Sequence, residues 1–312
     1  IVPLGERGET YSVKSIRSID WDSFDTIIIG HLNEHNDAYK LPVIDSIVEK
    51  CKYHNKNIYC FDSLLHDRYG DAIESMSYYP SIEKNQVHVN QLGKMWNVPI
   101  PVIAILGTRS RLGKHTVQVK MTDYIRKIGY DPGFLSTEPS GYLFGADYVF
   151  PYGFGSTANI SIDEYALVVN DMVYNIFLSD KDIILAGLQS QTIPLHEKNI
   201  NQSTIKQFSL LFGLSPDGII MCVSPDDDIE YIVRTIDTMK SLYQVILYGI
   251  LVSPVRVTYN KAGIQQLSTV ASCEIMEFIK KLEAVFSVPV KKIDDPGIFE
   301  ITEYLLDRLA EG

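Results

Sequence analysis

The chain has 312 residues, 46% apolar and 21% charged, enough for two domains of ordinary size with ample core. Its formal net charge of −11 would repel a phosphate backbone, which sets nucleic acid aside as the main partner. No apolar run reaches membrane-spanning length, and the opening IVPLGERGE shows no charged-then-apolar leader pattern. The four cysteines (Cys51, Cys60, Cys222 and Cys273) form no C-x-x-C pair, so neither a zinc knuckle nor a dithiol motif is expected. A reducing cytoplasm is the natural reading.

Residues 1–95 read as a smaller, Rossmann-like α/β domain. TIIIGHL (26–32) has the apolar run of a buried strand. Leu41, Ile44, Ile47, Val48 and Cys51 recur at helical spacing over 38–54, and NIYCFDSLL (57–65) supplies a second strand with its loop. This β-α-β order implies parallel pairing. His31 and His35, with Glu34 and Asp37, have the spacing of a helical metal pair. The adjacent Asn33 and Asn36, and the lack of a third ligand, favour solvated loop histidines. Residues 76–101 have weak periodicity and contain the linker to a second domain, 96–312.

PVIAILGTRSRLGKHTVQ (101–118) is the most informative stretch. Apolar Val102 to Leu106 form a strand ending at Gly107. Gly113 and Lys114 follow six residues later, and a helix begins there. Strand, glycine-bounded loop, lysine and helix make the layout of a phosphate-binding P-loop. Glycines let successive N–H groups turn inward toward phosphate oxygens, and the helix adds its positive end. Lys114 contributes a point charge for the outer phosphates, and Thr116 a hydroxyl that can reach Mg²⁺. The whole segment Gly107, Thr108, Arg109, Ser110, Arg111, Leu112, Gly113, Lys114, His115 and Thr116 is the expected cofactor cradle. His115 either donates to a phosphate or faces out along the helix.

Beyond the loop the alternation is regular. A helix over 115–128 stops at Gly129, and PGFLST (132–137) is a strand. YLFGADYVFPYGFGST (142–157), rich in Gly and aromatics, is either a loop covering a ligand or a packed structural loop. Within it Asp147 either binds substrate or caps a turn. Ser161 and Glu164 form a capping box for a helix to about 178. DIILAG (182–187) is a strand, followed by the polar cluster Gln189, Ser190, Gln191 and Thr192. A helix over 201–212 precedes the strand GIIMCVS, in which Cys222 reads as core. Asp226, Asp227 and Asp228 read as a dipole-favoured helix start. A strand over 244–253, one or two helices over 260–286, a strand over 288–293 and a helix over 297–310 complete the chain. The fold expected is α/β: a doubly wound parallel sheet of the P-loop NTPase type behind the smaller domain, with ligand at the carboxyl ends of its strands.

Gly107-Thr108-x-x-x-x-Gly113-Lys114 resembles the loop of dethiobiotin synthetase and of cobyric acid synthase-like amidotransferases. It is closer to a bacterial P-loop family that includes D-glutamate N-acetyltransferase, which shows G-T-x-x-x-x-G-K-x-T. Thr137-Glu138-Pro139-Ser140-Gly141 stands where that family has T-G-Q-T-G. Ala186-Gly187-Leu188-Gln189-Ser190 stands where it has E-G-Q-G-S, and Gly213-Leu214-Ser215-Pro216-Asp217 matches its G-x-x-P-D. The likeness covers about residues 97–255.

The resemblance implies ATP with Mg²⁺ as cofactor and group transfer to, or activation of, a carboxylate on a small molecule or peptide. A place in peptide natural-product maturation in clostridia is a further expectation. Lys114 and Glu138 are the expected catalytic residues, Ser140, Gly141, Asp147, Gln189 and Ser190 the substrate contacts, and Thr116 the metal ligand. Ala186 stands where the family carries the acid that holds Mg²⁺; Asp182 lies at the wrong end of that strand, and Glu138 is the substitute. The alternatives are N-acylation from acetyl-CoA or another acyl-CoA anchored by the P-loop, and a non-catalytic nucleotide-binding component of a biosynthetic complex. The expected partners are a small-molecule or peptide substrate, with neither nucleic acid nor membrane and with a homo-oligomer left open.

Overall fold

The computed structural model describes residues 15–31, 37–87, 93–153, 155–195, 202–259 and 265–311. The chain divides into two compact units, Ile1–Ser81 with Phe154–Thr157, and Ile82–Gly153 with Ala158–Gly312.

In the first unit β1 (Thr26–Ile29), α1 (Asp37–Tyr53), β2 (Asn57–Cys60), α2 (Leu64–Tyr69), α3 (Asp71–Glu74) and β3 (Ser77–Tyr78) follow in order. The three strands pair in parallel in the order β1-β2-β3. Ile44, Val48 and Cys51 of α1 lie on one helical stripe and pack with Ile29, Ile58, Cys60, Leu65 and Ile73. His31, just past β1, has Nδ1 3.9 Å from the buried Asp62 carboxylate and its ring edge-on to Phe61. Glu34 and His35 lie outside the described residues.

The second unit contains β4 (Val102–Gly107), α4 (Lys114–Lys127), β5 (Pro132–Ser136), β6 (Tyr148–Val149), α5 (Ile162–Leu178), β7 (Ile183–Gly187), α6 (Ile205–Leu214), β8 (Gly218–Val223), α7 (Ile229–Tyr243), β9 (Ile246–Val252), β10 (Val255–Tyr259), β11 (Gln265–Thr269), α8 (Ser272–Glu283), β12 (Val290–Lys292) and α9 (Asp295–Glu311). Seven strands form one sheet in the order β12-β9-β8-β4-β7-β5-β6, with every pairing parallel. Every residue of β4, β5, β7 and β8 is buried, as expected for strands covered on both faces.

Alternation along β4 divides the core. Ile103 and Ile105 face Val117, Met121 and Ile125 of α4 and Ile298, Ile301 and Leu305 of α9. Val102, Ala104 and Leu106 join the cluster built on α5, α6, α7 and α8. The sheet is therefore doubly wound, with β4 between β7 and β8, so the chain leaves β4 toward one edge and later returns to its other side. That switch point is where an open parallel sheet binds ligand.

One sequence expectation needs correction. Part of the segment expected as helix, 260–286, belongs to the antiparallel pair β10 and β11. Val255 and Val257 are buried while Arg256 and Thr258 point outward, a period of two that suits a strand. The aromatic-rich segment 142–157 is split in role. Tyr148 and Val149 extend the sheet, and Phe150 is fully buried with its ring 4.9 Å from that of Tyr165. Tyr142, Leu143 and Phe144, in a short 3-10 turn over Gly141–Phe144, are exposed.

Candidate functional site

The loop between β4 and α4 has the backbone of an anion cradle. Gly113 at φ +92° and Arg111 at φ +61° adopt left-handed conformations that turn the chain into α4. Leu112, between them, is buried against the α4–α9 side of the core. The Gly107 carbonyl accepts from both the backbone N–H and the hydroxyl of Thr192, at 2.9 and 3.0 Å. This ties the loop to the segment after β7. The Lys114 side chain folds back under the loop, and its ammonium donates to the carbonyls of Arg109 (2.7 Å) and Ser190 (3.0 Å). Burial pulls Lys114 down to about 8, against the opposing influence of Cys222 and Glu138.

A buried carboxylate holds the other side of the loop. Asp227 accepts from the Ser224 N–H at 2.7 Å, from the Thr108 hydroxyl, and from Arg109 Nε at 2.6 Å. Tyr231 Oη lies 2.8 Å from the Ile193 carbonyl and 3.3 Å from that of Thr108. The three aspartates after β8 thus have different jobs. Asp228 caps α7 through the Glu230 N–H, Asp226 pairs with Arg256, and Asp227 belongs to the P-loop. The sequence reading, which took all three as a helix start, missed the last.

The carboxyl ends of β5 and β7 bring Glu138, Ser140, Gln189 and Ser190 to the loop's edge of the sheet. Ser110 Oγ is 3.3 Å from Ser190 Oγ, and Gln189 Nε2 donates to the Thr137 carbonyl at 3.3 Å. Glu138 is half-buried, and its negative charge opposes the burial effect at both Lys114 and His115. Among the described residues neither its carboxylate nor the Thr116 hydroxyl makes a hydrogen bond, so both are available as oxygen donors. Beneath them Gln118 straddles the two strands, donating to the carbonyls of Leu135 (2.7 Å) and Leu185 (3.0 Å). Its side chain fills the space that a Cβ on Gly187 would occupy. No sequence motif marked this residue.

His115 faces the helix flank. Its ring meets Phe144 edge-on at 5.2 Å, and its two nitrogens are buried without a hydrogen-bond partner of good geometry. Burial lowers its pKa, opposed by Glu138 and Gln118. One expected substrate contact lies elsewhere. Asp147 accepts from the Phe134 N–H at 2.7 Å and sits 3.9 Å from Lys181, toward the amino ends of the strands and away from the P-loop. Gly141, next to Ser140, has no room for a side chain, since an added Cβ would fall 2.5 Å from Ser136 Cβ. Ala186 is buried in the core and offers no ligand atom, and Asp182 accepts from the Asp131 N–H at the amino edge. Among the described residues no three His, Cys, Asp or Glu side chains gather as a metal site.

A profile described as the P-loop domain of a domain of unknown function, DUF1611_C, matches residues 89–301, more than half of the chain. The chain belongs to the DUF1611 family. A crystal structure of a DUF1611 family protein from Anabaena variabilis is similar over 89% of this chain and 80% of that one, with a TM-score of 0.60 at 11% identity. At that identity the likeness is one of fold. Cobyrinic acid a,c-diamide synthase from Mycobacterium smegmatis, with bound ADP and magnesium, is similar at 13% identity over 68% of this chain and 96% of that one, with a TM-score of 0.42. A nucleotide-binding protein from Archaeoglobus fulgidus in complex with ADP is similar at 17% identity over 64% and 84%, with a TM-score of 0.39. No curated protein matches the chain. Family membership assigns the P-loop domain. No helix among the described residues is long and apolar enough to cross a membrane.

Proposed function

We propose that this DUF1611 protein binds ATP with Mg²⁺ at the P-loop and transfers a group to, or activates, a carboxylate on a small molecule or peptide. The observation that carries the reading is the buried Lys114 ammonium, folded under a glycine-turned loop at the switch point of a parallel sheet. An ammonium this deeply buried is costly unless an anion joins it. In this role Lys114 and the backbone of 108–116 stabilise charge on the outer phosphates. Thr116 and Glu138 would hold the metal, which supplies charge neutralisation on the transferring phosphoryl group. Ser140, Gln189 and Ser190 line the same edge for the acceptor.

One observation favours a second reading. β7 ends in Ala186–Gly187 with no carboxylate, which suits a cofactor whose phosphates are anchored without a metal, as in N-acylation from acetyl-CoA or another acyl-CoA. The resemblance to D-glutamate N-acetyltransferase points the same way, while the resemblance to a clostridial peptide-maturation branch suggests a peptide acceptor. The test is turnover by the full chain with a panel of small carboxylates, amines and peptides. ADP formation that requires Mg²⁺ and is lost in Lys114→Ala supports the first reading. Thioester consumption that persists in EDTA replaces it with the second. Tight nucleotide binding with turnover in neither assay leaves a non-catalytic nucleotide-binding component.

A further inference from the structure

Arg109 carries a guanidinium whose place in the phosphate loop is set from outside the loop. Its Nε donates to Asp227 Oδ1 at 2.6 Å and its Nη2 to the Asp226 carbonyl at 3.3 Å. A guanidinium has five N–H donors, and the rest have no protein partner among the described residues. The Arg109 side chain is 27% exposed, so it is fixed at one end and open at the other. Asp227 is the opposite case. Its side chain is fully buried and its oxygens accept from Ser224, Thr108 and Arg109.

A helix start does not require this. Asp228 already caps α7, and Asp226 is engaged by Arg256 at 2.8 Å, so neither needs Asp227. A buried carboxylate and its cation earn little stability of their own. What this pair achieves is geometric: one loop cation is held in a single orientation beside another. Arg109 lends its carbonyl to the Lys114 ammonium, so the two cationic residues share one short piece of backbone. The neighbouring strands end in Ala186–Gly187 and Cys222–Val223, with no carboxylate among them.

We propose that Asp227 is a positioning residue that presents Arg109 as a fixed clamp for the terminal phosphate of a bound nucleoside triphosphate. The clamp rests on the nucleotide reading of the same loop and adds to it a basis for preferring triphosphate over diphosphate. Planar guanidinium forks match phosphate oxygens, and a pre-oriented fork loses less freedom on binding than a free one.

The test is calorimetric titration of the full chain with ADP and with a non-hydrolysable ATP analogue, both with Mg²⁺. The proteins are wild type, Arg109→Ala, Arg109→Lys, Asp227→Asn and the double variant Arg109→Ala/Asp227→Asn, each checked by thermal melting. Arg109→Ala is expected to weaken the triphosphate about tenfold or more while ADP stays within about twofold. Arg109→Lys restores only part of the difference. Asp227→Asn acts in the same direction and adds nothing on top of Arg109→Ala. Equal weakening of both nucleotides by Arg109→Ala, or full additivity with Asp227→Asn, overturns the clamp. Should Asp227→Asn fail to fold, the triphosphate-to-diphosphate ratio in Arg109→Ala decides alone, and an unchanged ratio overturns the proposal. A wild type that binds neither nucleotide removes the nucleotide reading and the clamp together; where the wild type binds both, an unchanged ratio in Arg109→Ala removes only the clamp.

Discussion

Gly113 and Gly107 shape the cradle in different ways, and their substitutions should separate. At Gly113 the constraint is conformational. The φ of +92° is one that L residues rarely adopt, although a Cβ there would meet Ile293 only at an ordinary 3.6 Å. Gly113→Ala should therefore cost about 1–2 kcal/mol by denaturant titration and weaken phosphate binding as the loop rearranges. At Gly107 the constraint is the lysine: a Cβ would sit 3.0 Å from Lys114 Cδ and 3.2 Å from Nζ. Gly107→Ala should displace the ammonium and weaken phosphate binding with a smaller loss of stability.

Lys114 also gives the site a pH signature. With its pKa brought down to about 8 by burial, the lysine is charged in both folded and unfolded chains at lower pH, and the fold carries the penalty of a buried cation there. That penalty fades as pH rises from about 8 toward the ordinary lysine value, where the folded lysine is already neutral. A bound phosphate favours the charged form, so its affinity should fall as pH rises above about 8. Binding there should take up a proton, visible as a buffer-dependent heat. An affinity flat across that range would show that Lys114 does not carry the interaction.

At the scale of elements, what could be read from sequence was whatever is local and periodic. The apolar run Val102–Gly107 and the helix opened at Lys114 follow from strand and helix patterns a few residues long. The capping box of α5 is present as read, with Ser161 accepting from the N3 backbone and Glu164 accepting from the cap. Ser161→Ala should cost about 1 kcal/mol in equilibrium unfolding, since it strips one acceptor from the helix start. What escaped was non-local. Nothing in Asp226-Asp227-Asp228 says which carboxylate turns inward; that depends on Thr108 and Arg109, more than a hundred residues earlier. Asp147 could be read either as a substrate contact or as a turn cap, because its partner, the Phe134 N–H, becomes visible only once β6 is laid beside β5. The hairpin β10–β11 was hidden by polar residues in β11, whose strand character comes from pairing with β10 rather than from its own apolar pattern.

For the molecule as a whole, charge is unevenly used. The chain is acidic, at −11, yet Arg109, Arg111 and Lys114 stand within one loop and its helix start. A field of that kind favours a small anion and disfavours a long polyanion. Electrophoretic mobility shift with duplex DNA at physiological salt should show no complex, whereas a compact phosphate ligand should bind in the same buffer.

The central claim is that the P-loop of this DUF1611 protein is a nucleotide-phosphate site. It is tested most directly by calorimetric titration of ATP, with Mg²⁺ and with EDTA, into the wild type and into Lys114→Ala of matched thermal stability. The account predicts Mg²⁺-supported binding by the wild type and a loss of about a hundredfold or more in the variant, as expected when a charge-assisted contact in a buried site is removed. Equal affinity in the two proteins would contradict it.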